Sequence, residues 1–213
     1  AGVYRSRVVA LLCCAQDWAD CQCGFSLLGG VLSGPAVGAC AALKMLVRYL
    51  RGARGAVNWL PKPTEVTDVE LAGYGDSDWA GDLGDLLTRR SQSSGKVEVD
   101  GVPMHSFSRT FSFFQSLLEF MRFAVAATLL ADLSAARGVA RREGVGRARG
   151  LEARVFWLQQ TIKRELIDIG TVRTDDDKAD LGAKILGHDL LGKPRALSGI
   201  YADMGQVVAN NEQ

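Results

Sequence analysis

The sequence predicts a mixed α/β fold, a sheet with flanking helices preceded by a small helical segment. Three observations carry that expectation. The run "KVEVDGVPMHSFS" alternates on both sides of Asp100-Gly101, a dipeptide suited to the two-residue turn of a β-hairpin. Up to about Asn58 the apolar residues keep helical spacing, and after "PKPTEVTD" (61–68) short runs of strand length replace it. Beyond the hairpin, helix-compatible segments alternate with strand-like ones, an order that places helices on a sheet containing antiparallel strands.

In the first segment, residues 1–60, "ALKMLVRYLRG" is the clearest helix. Leu43, Leu46, Val47 and Leu50 recur at i, i+3, i+4 and i+7 on one face. Lys44, Arg48 and Arg51 share another, and Gly52 is a natural C-terminal stop. Such a helix reads either as a solvated surface helix or as one that faces nucleic acid. Two prolines without periodicity mark 61–68 as a linker.

Val69 to Tyr74 reads as the first strand, and the residues flanking Asp100-Gly101 as two more. "SSGK", Ser93 to Lys96, lacks the glycine spacing of a phosphate loop and reads as a turn. Phe111 to about Ala127 is apolar and helix-compatible, leaving "TLLA" as a short fourth strand. Ser134 to Gln160 is Arg-rich and helical, broken near Gly144, Gly146 and Gly150. "ELIDIGTVRT" reads as the last strand, and "DDDKADLGAKIL" as an acidic turn entering a helix.

A chain of 213 residues can bury a substantial core, and 47% hydrophobic with 23% charged residues excludes a wholly disordered chain. A net charge of +1 excludes a global field, so attraction to nucleic acid must come from local patches. The cysteines (Cys13, Cys14, Cys21, Cys23, Cys40) fit no zinc spacing. They predict reduced, mostly buried thiols in an intracellular protein, cytoplasmic or nuclear. The uncharged run from Cys21 to Leu43 is broken by glycines, a proline and polar residues, so no membrane span is expected. A start at Ala1 without Met suggests a fragment of a longer protein. His105 and His188 lie too far apart to form a pair and read as ordinary histidines; Trp79 and Trp157 read as core anchors.

The stretch "ELAGYGDSDWAGD", Glu70 to Asp82, ends an apolar run in three aspartates. Like charges held together at a strand end repel, and burial makes them costly unless a cation compensates. By itself the stretch fits two readings: an Asp-rich loop capping the next element, or a site for divalent metal of the kind that serves phosphoryl transfer.

The surroundings add a resemblance. "GYGDSDWAGD" followed by "TRRSQSSG" resembles the start of the ribonuclease H domain in the Pol polyprotein of copia-type LTR retrotransposons. "MHSFSRT", "DLSAARGVARREGVGRARGLEARVFWLQ" and "VRTDDDKADLGAKIL" are similar to later motifs of that domain, in the same order. Upstream, "YRSRVVALLCCAQDWADCQCGFSLL" and "ALKMLVRYLRG" are similar to the end of the preceding reverse transcriptase. The likeness reaches about Leu191, dividing the chain into a helical segment (1–60), a linker (61–68), a ribonuclease H-like domain (69–191) and a tail (192–213) without counterpart.

The resemblance implies a ribonuclease H-like mixed sheet and hydrolysis of RNA in RNA–DNA hybrids with two Mg²⁺ ions. It implies Asp76, Glu119, Asp132 and Asp180 as the catalytic, metal-holding carboxylates, with Asp78 and Asp82 as bystanders. Asp76 would bridge both ions, Glu119 and Asp132 would hold one, and Asp180 the other. Partners would be an RNA–DNA hybrid or other nucleic acid, and other parts of a Pol polyprotein.

The chain also departs from the family. The family separates the glutamate and the next aspartate by a long helix, a loop and a strand, whereas Glu119 and Asp132 are separated only by "FMRFAVAATLLA". A continuous helix over that stretch would carry Asp132 about 20 Å from Glu119. Gly150 stands where the family has His, and the polymerase turn of the Tyr-x-Asp-Asp type is absent. Against the family, this short interval amounts to a deletion between Glu119 and Asp132 that is expected to impair hydrolysis in this copy. The alternative is a catalytically inactive remnant with at most weak nucleic-acid binding. Arg137 to Arg154 holds six arginines against two glutamates beside Phe156 and Trp157. Arg141, Arg142, Arg147 and Arg149 read either as a solvated face or as contacts to a phosphate backbone.

Overall fold

A computed structural model describes residues 2–62, 70–78, 92–109, 127–131, 134–144 and 152–203. Helices α1 (Gly2–Cys13), α2 (Gln22–Gly29) and α3 (Val37–Gly52) precede a short strand β1 (Val57–Asn58). Strands β2 (Leu71–Asp78), β3 (Gln92–Val99), β4 (Val102–Arg109) and β5 (Ala127–Ala131) follow. Then come α4 (Ser134–Arg141), α5 (Glu152–Lys163), β6 (Ile167–Thr171), the short α6 (Asp180–Ala183), α7 (His188–Leu197) and β7 (Ile200–Tyr201).

Strands β4-β3-β2-β5-β6 form one mixed sheet in that order. The β2–β3 and β3–β4 pairs are antiparallel, while β5 runs parallel to both β2 and β6. This is the mixed α/β arrangement that the sequence predicts. The hairpin turns where expected: Asp100 and Gly101 have φ of 52° and 75°, the left-handed pair that a tight hairpin turn requires. The Asp100 carboxylate also accepts the Glu70 N–H at 2.8 Å, tying the turn to the start of β2.

Side chains alternate across a strand, so the register sorts the sheet into two unlike faces. Leu129, Ile167 and Ile169 pack with Ala140 of α4 and Leu158 of α5 in an apolar core, flanked by Leu71, Val97 and Ile162. On the opposite face Asp76 pairs with Ser94, Tyr74 with Lys96 and Ala72 with Glu98. Asp76, Gln92, Ser94, Lys96 and Glu98 are all buried there. Glu98 receives the Lys178 ammonium at 2.6 Å and lies 3.3 Å from that of Lys96. Without these lysines a buried carboxylate would not be tolerated.

The N-terminal helices and α6 lie against this polar face. Gln22 donates to the Ser106 hydroxyl at 2.8 Å, Gln92 donates to that of Ser26 at 2.9 Å, and Ser108 donates to the Gly182 carbonyl at 2.5 Å. The helices also have a core of their own, with Tyr4, Val8, Leu28, Ala39 and Leu43 buried together. At its edge buried Asp20 accepts the Tyr49 hydroxyl and pairs with Arg195 of α7 at 3.2 Å. The stretch after Gly192 supplies the rest of α7, and β7 pairs antiparallel with β1.

Several readings need correction. Ser93–Lys96 is not a turn but part of β3, paired on both sides and buried; Gly95 fits there because a Cβ would meet the Phe107 ring at 2.3 Å. β2 runs on to Asp78, past the expected end at Tyr74, since its ladder with β3 continues. Val47 is exposed although Leu43 on the same face is buried, and Trp157 is 41% exposed rather than a core anchor. Cys21 and Cys23 are buried, but Cys13, Cys14 and Cys40 are exposed, so the thiols are not mostly buried; none of the five is in a disulfide. Trp79 and the helix expected from Phe111 lie outside the described residues. No helix among the described residues is long and apolar enough to cross a membrane.

Two outcomes follow from the buried polar face. A Cβ on Gly182 would stand 2.8 Å from Ser94 Cβ, so Gly182→Ala is expected to lower stability by about 1–3 kcal/mol in chemical denaturation. Burial pushes the Lys96 ammonium down to about 8, against the pull of Glu98 and helped by Lys178. Above that pH the folded chain releases a proton that the unfolded chain keeps, so stability rises with pH. Between pH 8 and 9 the wild type is expected to gain roughly 1 kcal/mol relative to Lys96→Met. Parallel pH profiles for the two proteins would rule this account out.

Candidate metal centre

Asp76 stands inside β2, opposite Ser94 of β3. Asp180 opens α6, and Asp177 lies just before it, after a single 3₁₀ turn at Thr174–Asp176. Oxygens of the three carboxylates lie within 4.8 Å of one another, and among the described residues they form the one such cluster. The fold brings them together by laying the α6 segment on the polar face. Gly182 lets it approach, and Ser94 donates its hydroxyl proton to the Ala179 carbonyl.

Asp76 is 2% exposed and Asp177 is 1% exposed, while Asp180 is only partly buried. The Ala179 N–H donates to Asp177 Oδ1 at 2.9 Å. Asp76 Oδ2 is buried, and its contact with Lys184 is an ion pair rather than a well-aligned hydrogen bond. Lys184 supplies the local positive charge: its ammonium lies 2.6 Å from Asp180 Oδ1 and 3.2 Å from Asp76 Oδ2. Burial, then the Asp180 carboxyl beside it, raises Asp76 above the ordinary aspartate range, against the pull of Lys184. For Lys184, burial favours the neutral amine, but Asp180 and Asp76 outweigh it and hold the ammonium above the usual lysine value.

Among the described residues, three carboxylates against one ammonium leave an excess of negative charge in a largely dry site. Hard carboxylate oxygens at this spacing suit a divalent cation such as Mg²⁺ or Mn²⁺. The buried Asp76 Oδ2 is held only by its ion pair with Lys184 and can accept such an ion once that ammonium moves, so the residues present fit one.

Of the carboxylates singled out in the sequence, the structure brings Asp76 and Asp180 together. Glu119 and Asp132 lie outside the described residues. Sequence reading missed Asp177 and Lys184. Asp177 was hidden in a run of three aspartates, where only its i, i+3 spacing to Asp180 marks it. For Lys184 the one signal is its i, i+4 spacing to Asp180, which marks a helix pair but not a site. Among the basic residues, Lys44, Arg48 and Arg51 are exposed along α3, and Arg141 and Arg142 at the end of α4. Arg141 also donates to the Ile169 carbonyl, anchoring its guanidinium at the sheet edge. Arg147 and Arg149 lie outside the described residues.

No protein-family model matches the chain, and no curated protein matches it. Among solved structures it is similar to the N-terminal RNase H domain of Rv2228c from Mycobacterium tuberculosis, solved as a fusion with maltose-binding protein. The two are 14% identical with a TM-score of 0.42, over 61% of this chain and 98% of that one.

Because burial makes ionised Asp76 unfavourable in the metal-free fold, Asp76→Asn is expected to raise metal-free stability by about 1 kcal/mol. The same variant is expected to lose most of the thermal stabilisation that added Mn²⁺ gives the wild type. Differential scanning calorimetry with and without Mn²⁺ checks both.

Proposed function

We propose that the chain is a ribonuclease H-like domain from the Pol polyprotein of a copia-type retrotransposon, hydrolysing RNA in RNA–DNA hybrids with Mg²⁺. The observation that carries this reading is the meeting of Asp76 and Asp180, from distant parts of the chain, in one buried acidic cluster. The motifs around both aspartates are the ones that resemble that family. Asp76, Asp177 and Asp180 would hold the metal from this face, with Glu119 and Asp132 completing the set. When bound, divalent metal lowers the pKa of water and neutralises charge on a phosphate.

The chain's own residues do the remaining work. Burial of Asp76 and Asp177 keeps the carboxylates in place before substrate arrives, so little reorganisation is needed. Exposed Lys44, Arg48 and Arg51, with Arg141 and Arg142, offer contacts for the phosphate backbone. Such a domain would act inside the cell, in cytoplasm or nucleus, next to other parts of a Pol polyprotein.

A second reading, the inactive remnant, draws support from Lys184, which already offsets part of the charge of Asp76 and Asp180 without metal. Incubation with a labelled RNA–DNA hybrid and Mg²⁺ separates the two. An active domain is expected to cut the RNA strand, and Asp76→Asn to slow cutting at least about 100-fold. No cleavage by the wild type would favour the remnant, and cleavage that survives Asp76→Asn would exclude the assigned centre.

A further inference from the structure

We infer that Lys184 is a built-in counter-cation that competes with the divalent ion for Asp76 and Asp180, so that loading the centre requires its ammonium to leave. This inference rests on reading Asp76, Asp177 and Asp180 as a metal centre. The ammonium takes the oxygens the metal needs: it lies 2.6 Å from Asp180 Oδ1 and 3.2 Å from Asp76 Oδ2. A divalent ion would approach carboxylate oxygens to about 2.1 Å. An ammonium left in place would then stand only about 3–4 Å from the ion, with strong repulsion in a site of low effective dielectric. The two cations exclude each other.

Lys184 also has somewhere to go. It lines an apolar cavity of about 340 Å³ whose walls include Leu27, Met45, Leu46 and Ile185. The cavity can take the butyl stem of a lysine that swings away. Asp20 lines the same cavity, and its buried Oδ1 makes no hydrogen bond among the described residues. Asp20 thus offers a displaced ammonium a second carboxylate on the cavity wall. Lys184 is a positioning residue with two stations: at the acidic trio in the metal-free state, and toward Asp20 when the ion is bound. A ligand that must first displace an internal competitor binds more weakly by the fraction of molecules in which the site is free.

The test compares Mn²⁺ binding to the full chain and to Lys184→Met by isothermal titration calorimetry, with thermal melts of both proteins without metal. Lys184→Met is expected to bind Mn²⁺ about tenfold tighter or more, and to melt at a lower temperature without metal because Asp76 and Asp180 lose their counter-charge. A merely structural lysine would lower the melting temperature without tightening Mn²⁺, so equal or weaker affinity in the variant overturns the inference while leaving the metal centre intact. Should Lys184→Met fail to fold, Lys184→Gln, which keeps a polar head without charge, gives the same comparison and is read the same way. Absence of Mn²⁺ binding in both wild type and variant overturns the inference and the metal-centre reading together.

Discussion

A β-sheet normally buries apolar side chains on the face that a helix covers, yet here the face under α6 and the N-terminal helices carries carboxylates and ammonium groups. Asp76 and Glu98 sit on that face as buried charges, and each has lysine beside it: Lys184 for Asp76, Lys96 and Lys178 for Glu98. Removing the lysine of such a pair leaves an uncompensated carboxylate in a dry site, which is far more damaging than removing both. The rest of the architecture follows from keeping these charges in company. The segment from Thr174 to Lys184 carries Lys178 and Lys184 to the sheet, and with them Asp177 and Asp180.

Close approach makes that arrangement possible. Gly182 allows α6 to touch β3 at Ser94, and Gly95 makes room for the Phe107 ring on the other face. Serines and glutamines then satisfy the polar groups that apolar packing would leave stranded, as with Gln22 on Ser106 and Ser108 on the Gly182 carbonyl. The two sides of the sheet thus divide the labour. The face against α4 and α5 supplies hydrophobic stabilisation, and the polar face supplies a place where negative charge exceeds positive.

The N-terminal helices take part in the second face. Their hydrogen bonds to β3 and β4, the Asp20–Arg195 pair and the β1–β7 ladder join the first and last parts of the chain around the acidic cluster. The apolar cavity lies along this seam, walled by residues of α2, α3 and the stretch that includes Lys184. A change at the seam therefore bears on the charge balance at Asp76 through the residue that both share.

The fold class, the hairpin at Asp100-Gly101, the helices before Asn58 and the pairing of Asp76 with Asp180 were legible in the sequence. Each depends on local periodicity, turn chemistry or a motif read in order. The strand identity of Ser93–Lys96 was not legible, because serine and glycine have weak strand preference and become strand only when paired on both sides. Nor was the exposure of Val47 and Trp157, which depends on what packs against each helix. Asp177 and Lys184 look in the sequence like members of an ordinary charged run. Only the tertiary structure selects them, because a charge becomes a ligand or a competitor through burial and distance, and neither is written in the order of residues.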